Sequence, residues 1–207
     1  MNRGPSTLRI AILVFDEVEA LDLAGPYEVF TTASRMHSRM APSGAAPLFE
    51  VVCVARTAEP VRLRAGLRIL PDFTLVDAPS ADVLIVPGGV VDGPMASSDT
   101  VDWIARASRD AKLTASVCTG AFLLAQAGVL VDQRVTTHWE DLADLKARFP
   151  ALAVLDGVRW VDEGQILTSA GITAGIDMSL HLVARLAGDD LALRTARQMD
   201  FAWTKDA

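Results

Sequence analysis

Residues 113–125 of the chain are Leu113-Thr114-Ala115-Ser116-Val117-Cys118-Thr119-Gly120-Ala121-Phe122-Leu123-Leu124-Ala125. The first part of this stretch favours a β-strand and its second part favours a helix, with Cys118 at the change. A cysteine at such a corner faces unpaired backbone N–H groups and the positive end of the helix dipole, which favour a thiolate. Small residues after it would let a substrate approach. The pattern therefore predicts a nucleophile elbow that carries sulfur.

Apolar runs of strand length alternate with amphipathic stretches along the rest of the chain. This alternation is typical of a mainly parallel sheet covered by helices on both faces. A loop is expected at 36–47 and a small β excursion at 62–70. Strands are predicted at 9–15, 49–55, 82–87, 113–117, 134–138, 154–161 and 165–169, and helices at 22–32, 99–111, 139–149, 173–187, 189–199 and from Cys118 to near Gly128.

The bulk properties favour one globular α/β domain over residues 1–207. The net charge of −7 argues against nucleic-acid binding, which draws on clustered lysine and arginine. No apolar run reaches the length of a membrane span, and the first residues lack a signal-peptide profile. The two cysteines do not make a disulfide framework. We therefore expect a cytoplasmic protein with reduced thiols and no membrane partner.

The two cysteines invite different interpretations. A free cysteine is most often an inert part of the core, and Cys53, between two valines of a predicted strand, fits that role. Cys118 instead follows a strand. In open α/β sheets, ligands bind beyond the carboxyl ends of the strands. Its position therefore favours a catalytic role.

Asp22 follows the first predicted strand, so it should lie on the same rim of the sheet as Cys118. By spacing alone, the more common role of an aspartate there is to cap a helix N-terminus. A carboxyl group on that rim could also exchange a proton with a substrate held on sulfur. Both interpretations stay open at this point.

The turn Gly88-Gly89 ends another predicted central strand at this rim. It could simply need the backbone freedom of glycine. Its N–H groups could also stabilise a developing negative charge. Thr119, beside the sulfur, could merely begin the helix. Gly88, Gly89 and Val90 are the candidate substrate-binding residues.

The sequence gives little support for a catalytic histidine, a metal or a cofactor. His138 could activate a thiol, but nothing in the spacing places it near Cys118, and it could cap the following helix. Three dispersed histidines give no metal-ligand spacing, so no metal is predicted. Glycine-rich phosphate-binding and dinucleotide-binding motifs are also missing, so no cofactor is predicted.

Five motifs in this order resemble the ThiJ/PfpI superfamily of class I glutamine amidotransferase-like proteins: residues 21–26, 86–89, 116–121, 136–139 and 168–177. The resemblance runs from about Arg9 to Arg197. It implies a flavodoxin-like three-layer α/β sandwich, an elbow cysteine at Cys118 and, usually, a homodimer.

Within that superfamily, the chain looks most similar to the isonitrile hydratases and to the sensor-like domains of certain AraC-type regulators. The hydratase resemblance implies Cys118 and Asp22 as the essential pair and Thr119 beside them. Cys118 would attack the terminal carbon of a small isonitrile to form a thioimidate, which water converts to an N-substituted formamide. No cofactor or metal is implied.

Other functions stay open. Protease-like and glyoxalase-like members carry histidine directly after the cysteine, whereas this chain has Thr119. The sequence after Met199 lacks the proline-rich tail associated with the hydratases. A non-catalytic ligand or redox sensor is the main alternative, since an exposed thiol of low pKa is easily oxidised. A glyoxalase-like or chaperone-like stress protein is a further possibility.

Overall fold

The structure is a computed structural model that describes residues 7–42 and 44–205. Strands and helices alternate along most of the chain. The strands are β1 Leu8–Leu13, β2 Phe49–Ala55, β3 Val61–Arg62, β4 Arg68–Ile69, β5 Phe73–Thr74, β6 Val83–Val86, β7 Leu113–Val117, β8 Arg134–Val135, β9 Ala153–Val154, β10 Trp160–Asp162 and β11 Ile166–Ser169. The helices are α1 Ala20–Ser38, α2 Asp92–Ala96, α3 Ser98–Asp110, α4 Gly120–Gln126, α5 Leu142–Arg148, α6 Ala174–Ala187 and α7 Asp189–Gln198, with a short 3₁₀ helix at Trp139–Asp141.

Seven strands form the central sheet in the order β10-β11-β7-β6-β1-β2-β5. Every neighbouring pair is parallel except β10 and β11, which form an antiparallel hairpin at one edge. Helices α1, α6 and α7 pack against one another, and α2, α3 and α4 form a second group. The predicted flavodoxin-like α/β class with a mainly parallel sheet is confirmed.

The central strands are buried because helices cover the sheet on both sides. Side chains of β1, β6 and β7, such as Ile12, Ile85 and Ala115, have no exposed surface. Continuous apolar runs are typical of such strands. Parallel pairing also directs the carboxyl ends of β1, β6 and β7 to one rim of the sheet. That rim carries the candidate site.

Helix α1 is longer than the sequence predicts. It begins two residues before Asp22 and continues to Ser38, so the expected loop at 36–47 starts later. Pro26 lies inside the helix instead of in its first turn. Proline provides no N–H for the carbonyl four residues earlier. The helix continues through Pro26 because its buried side chains stabilise it against the core.

Several short elements differ from expectation. The strand predicted at 134–138 covers only Arg134–Val135, and the one predicted at 154–161 is two separate pieces. β8 pairs with β9, while β10 pairs with β11 in an antiparallel hairpin. The sequence did not predict β5 or α2, which are too short to show a periodic pattern.

Within residues 7–42 and 44–205, every helix is too short or too polar to cross a membrane.

Candidate active site

Cys118 occupies a sharp corner between β7 and α4. Its backbone has a φ of 56°, a left-handed conformation that side-chain-bearing residues rarely adopt. The Cys118 N–H donates to the Ser169 carbonyl at 3.1 Å, and the Thr137 hydroxyl donates to the Cys118 carbonyl at 2.8 Å. These bonds hold the strained corner from both sides. The elbow expected from the sequence is therefore present.

Close backbone packing beneath the corner depends on glycine. A Cβ atom at Gly120 would lie 2.1 Å from the Val86 carbonyl oxygen. Only glycine lets the start of α4 approach the end of β6 this closely. The approach places the elbow beside the turn that follows β6.

Asp22 lies in the first turn of α1 and has no exposed surface. The Gly88 N–H donates to its Oδ2 at 3.2 Å, whereas Oδ1 has no hydrogen-bond partner among the described residues. Glu19 occupies the N-cap position of α1, and no side chain caps it. The helix-capping interpretation of Asp22 is therefore wrong, because this carboxyl group points into the site.

Burial raises the pKa of Asp22 to about 6, and a hydrogen bond with the Cys118 thiol and the Gly88 N–H both oppose that rise. The two side chains are thus direct neighbours. A carboxyl group with a pKa near neutrality can both accept and return a proton at ordinary pH. This property fits a general base next to a thiol.

The state of the Cys118 sulfur differs from expectation. Burial, followed by the charge of Asp22, raises the pKa of the Cys118 thiol to about 12, although the Thr119 N–H lowers it. The preference for a thiolate, inferred from the helix N-terminus, is therefore wrong for the resting protein. Desolvation and a neighbouring carboxylate outweigh the short helix. The resting pair is a thiol beside a carboxyl group.

Thr119 connects the elbow to the turn at Gly88 and Gly89. Its hydroxyl donates to the Gly89 carbonyl and accepts from the Gly89 N–H, both at 2.9 Å. A Cβ atom at Gly88 would lie 2.6 Å from Thr119 Oγ1 and 2.9 Å from Asp22 Oδ2. Both N–H groups of this turn donate to side chains, so the structure does not support the alternative in which they stabilise a developing charge. The other alternative, a turn that needs the backbone freedom of glycine, agrees with the φ of 136° at Gly89.

A cavity of about 200 Å³ opens over the sulfur. Of the candidate residues, Cys118, Thr119, Gly89 and Val90 line it. Gly88 and Asp22 lie behind this surface, where they support the sulfur. The structure therefore brings all six candidates together. The other lining residues are Glu19, Arg64, His138, Glu140, Asp141 and Ile172.

His138 lies in this cavity, which the sequence spacing did not indicate. Its Nδ1 accepts a hydrogen bond from the Glu140 N–H at 3.4 Å, so it also caps the 3₁₀ helix. A Cβ atom at Gly171 would lie 2.1 Å from His138 Cδ2, so glycine leaves room for the ring. The capping interpretation of His138 is therefore confirmed, whereas the thiol-activating one has only the shared cavity in its favour.

The remaining lining residues arrive from distant parts of the chain. Arg64, in the β3–β4 connection, pairs with Glu19 at 3.5 Å. Ile172 has a φ of 52°, and its backbone N–H lowers the pKa of Asp22. No local sequence signal marks these positions, since tertiary folding alone brings them together.

The described residues contain no cluster of three or more histidine, cysteine, aspartate or glutamate side chains that could hold an ion.

The fold and the elbow define a class: flavodoxin-like α/β proteins with a cysteine at the carboxyl rim of the sheet. Residues 8–185 match the model of the DJ-1/PfpI family. This match covers most of the chain. The chain belongs to the DJ-1/PfpI family, which confirms the resemblance seen in its motifs.

Curated relatives include both an enzyme and a regulator. The chain is 38% identical to isonitrile hydratase of Pseudomonas putida over 196 residues, which cover 94% of this chain and 79% of that protein. It is 31% identical to the HTH-type transcriptional regulator GbdR of Pseudomonas aeruginosa over 92% of this chain. That match covers only 49% of GbdR.

Solved structures show the same architecture. A ThiJ/PfpI family protein from Pseudomonas syringae has a TM-score of 0.81 at 30% identity, covering 96% of this chain and 77% of that one. Drosophila melanogaster DJ-1beta has a TM-score of 0.80 at 20% identity, covering 96% of this chain and all of that one. The second likeness supports the fold alone.

Proposed function

We propose that this protein is a cysteine-dependent hydratase that adds water to a small isonitrile and releases an N-substituted formamide. The observation that carries the proposal is the buried pair of Cys118 and Asp22 at the elbow. The 38% identity to isonitrile hydratase supports the same reaction. Cys118 would be the nucleophile, Asp22 the proton carrier and Thr119 a support for both.

The first step would join the thiol to the isonitrile. Asp22, as carboxylate, accepts the thiol proton while sulfur attacks the terminal carbon of R–NC, because the thiol ionises too weakly to attack alone. Asp22 then gives that proton to the same carbon. The product is a thioimidate, R–N=CH–S–Cys118, and Asp22 is a carboxylate again.

The second step would release the product. Asp22 accepts a proton from water as the oxygen adds to the thioimidate carbon, and it passes that proton to the nitrogen, so Asp22 is a carboxylate again. The adduct R–NH–CH(OH)–S–Cys118 then collapses, the C–S bond breaks, and the hydroxyl proton returns to sulfur through Asp22. One isonitrile and one water thus give one formamide, R–NH–CHO.

A turnover assay with cyclohexyl isocyanide tests this proposal. Wild type should produce N-cyclohexylformamide, and Cys118→Ala and Asp22→Asn should each lose at least about 10³-fold in kcat/KM. Cys53→Ala serves as the matched control, because that buried cysteine lies in β2, outside the cavity. Full activity in either site variant would contradict the mechanism.

A non-catalytic ligand or redox sensor is the second candidate, favoured by the similarity to GbdR over most of this chain. The raised pKa of Cys118 argues against easy oxidation, since the thiolate is the reactive form. Mass spectrometry after mild peroxide treatment separates the two functions. Oxidation of Cys118 without turnover of any isonitrile would favour the sensor.

We also propose that the protein acts in the cytoplasm as a homodimer with a small-molecule substrate. Light scattering should give twice the chain mass of 22.1 kDa. The mass of a single chain at micromolar concentration would contradict the dimer. Fractionation of cells that express the full protein tests its location.

A further inference from the structure

Residues 170–173 connect β11 to α6 and form part of the wall around Cys118. Ile172 lines the cavity above the sulfur, and Gly171 leaves the room that the ring of His138 occupies. The position of this short connection therefore affects two sides of the site. What holds the connection in place is then a question about the site itself.

The connection is strained, and its own backbone bonds are long. Ile172 has a φ of 52°, a conformation that is strongly disfavoured for a β-branched residue and that persists only where surrounding contacts fix it. The Ala174 N–H donates to the Gly171 carbonyl and the Gly175 N–H to the Ile172 carbonyl, both at 3.3 Å. Both distances exceed the usual length of such bonds. Contacts from elsewhere must therefore fix the connection.

Arg159 contacts the connection on both sides of Ile172, although it is not among the described residues that line the cavity. Its carbonyl accepts from the Ala170 N–H at 2.8 Å, and its Nη2 donates to Thr173 Oγ1 at 3.3 Å. Its Nε donates to Asp177 Oδ2 at 2.5 Å, in the first turn of α6. One residue thus holds the connection at its start, at its end and at the helix that follows.

Asp177 is a fixed anchor for Arg159. Its side chain is buried, and its Oδ1 accepts from the Thr204 N–H at 2.7 Å. Its carbonyl accepts from Trp203 Nε1 at 3.1 Å. Both carboxylate oxygens therefore have partners, and charge-assisted bonds of this kind restrict the geometry of the guanidinium group.

Close packing joins the start of α6 to both halves of the reactive pair. A Cβ atom at Gly25, one turn after Asp22 in α1, would lie 3.0 Å from Ile176 Cγ1. A Cβ atom at Gly175 would lie 2.7 Å from Cγ1 of Val117, the residue before the elbow cysteine. A change in the connection would therefore be felt at the site and not only on the surface.

The backbone of the connection also acts on the charge of Asp22. Burial and the Glu19 carboxylate raise the pKa of Asp22. Three nearby donors lower this pKa: the Cys118 thiol, the Gly88 N–H and the Ile172 N–H. Of these donors, the Ile172 N–H belongs to the connection that Arg159 holds. A donor that favours the carboxylate makes the base available at lower pH.

We propose that Arg159 is a positioning residue of this site, which holds the connection 170–173 so that the Ile172 N–H stays directed at the Asp22 carboxyl group. This inference rests on the proposed function for Asp22 as the proton carrier of the reaction. It adds a residue outside the cavity that acts on the substrate only through Ile172 and Asp22.

The pH dependence of Cys118 alkylation by iodoacetamide tests this role without turnover. In wild type the rate should rise through about pH 6, as Asp22 becomes a carboxylate that can accept the thiol proton, and then level off. In Arg159→Met the midpoint should lie about one pH unit higher, because the carboxylate loses a donor. The ratio of the rates at pH 6 and pH 8 should then be about fivefold smaller than in wild type. Cys118→Ala identifies any signal from Cys53.

Three further variants separate positioning from folding. Arg159→Lys keeps a charge opposite Asp177 without the second bond, so its midpoint should lie between those of wild type and Arg159→Met. Thr173→Val, at an exposed position, removes only the bond from Nη2 and should raise the midpoint by roughly 0.3 pH units. Arg185→Met is the matched control. Arg185, in the last turn of α6, pairs with Asp162 and is 31% exposed, against 38% for Arg159, so its loss should leave the midpoint unchanged.

A folded Arg159→Met with the midpoint of wild type would overturn the inference. If that variant does not fold, unshifted midpoints in both Arg159→Lys and Thr173→Val would overturn it. An equal shift in Arg185→Met would also do so, because the effect would then follow from the loss of any ion pair on α6.

Turnover of cyclohexyl isocyanide by the same proteins separates this inference from the proposed function. The pH profile of kcat/KM should shift with that of alkylation. Shifted alkylation without turnover, even by wild type, would contradict the proposed function and leave the role of Arg159 supported. Turnover with an unshifted alkylation profile in Arg159→Met would support the proposed function and contradict the role of Arg159.

Discussion

At the scale of single residues, Asp22 shows how the site trades stability for chemistry. Burial without a partner for Oδ1 disfavours its charged form, which is why its pKa rises to about 6. A carboxylate in contact with solvent would lower the free energy of unfolding less. It would also be a weaker base for the thiol beside it. The feature that makes Asp22 useful should therefore destabilise the protein near neutral pH.

Replacing Asp22 with asparagine should accordingly stabilise the protein in a pH-dependent way. Because the pKa of Asp22 is higher in the folded state than the ordinary 3.8, wild type loses stability as the pH rises through about 6. Asparagine stays neutral. The advantage of Asp22→Asn should grow by up to about 3 kcal/mol between about pH 4 and pH 7.5.

Urea denaturation at both pH values measures this difference. Asp190→Asn, on the surface of α7, is the control and should change stability by less than about 0.5 kcal/mol. An advantage of Asp22→Asn that is the same at both pH values would mean that the carboxylate carries no burial cost.

Among the helices and strands, those with a continuous pattern in neighbouring residues could be predicted from the sequence. The strand-to-helix change at Cys118 and the buried runs of β1, β2 and β6 are local, so they were found. The neighbourhood of Cys118 and Asp22 also follows from parallel strands ending at one rim. The pKa of each group could not be predicted, because burial depends on the packing of the whole rim.

Other parts of the site depend on contacts between distant segments. His138 reaches the cavity because Gly171, far along the chain, leaves space for its ring. Arg64 enters from the β3–β4 connection through its pair with Glu19. Neither contact has a periodic or motif signal. Short elements such as β5 and α2 are fixed by tertiary packing for the same reason.

The hydroxyl of Thr119 is the link between α4 and the turn after β6, which makes a prediction at this scale. Thr119→Val would remove the hydroxyl that donates to the Gly89 carbonyl and accepts from the Gly89 N–H. Both backbone groups of Gly89 would then lack their partner. We expect a loss of about 1–3 kcal/mol in the free energy of unfolding, with a parallel loss of activity.

Thr119→Ser is the matched comparison because it keeps the hydroxyl and loses only a methyl group. It should retain most of the stability and activity of wild type. Denaturation curves and turnover rates of the two variants side by side measure the effect. Equal behaviour of valine and serine would show that the hydroxyl does not hold the turn.

At the scale of the whole molecule, one fold serves proteins of different function. Isonitrile hydratase and GbdR both align with most of this chain. The family therefore sets the fold, while the activity must be argued from the site itself. In this chain, the proposed activity follows from the buried pair of Cys118 and Asp22 behind a small cavity.

The interpretation of residues 1–207 as one domain makes a prediction at the same scale. The central sheet contains both the first strand, β1, and the last, β11, so no part of the chain should unfold alone. Urea unfolding followed by circular dichroism and by tryptophan fluorescence should give coincident single transitions. Two separate transitions would contradict the single domain.

The proposed mechanism requires Asp22, as a carboxylate, to take the proton of the Cys118 thiol. The pH dependence of kcat/KM for isonitrile hydration tests it most directly. The rate should rise tenfold per pH unit below about pH 6, where Asp22 is protonated, and level off above about pH 7, although the pKa of the thiol is about 12. A rate that is flat through pH 6 and rises only in the alkaline range, as free thiolate forms, would contradict this mechanism.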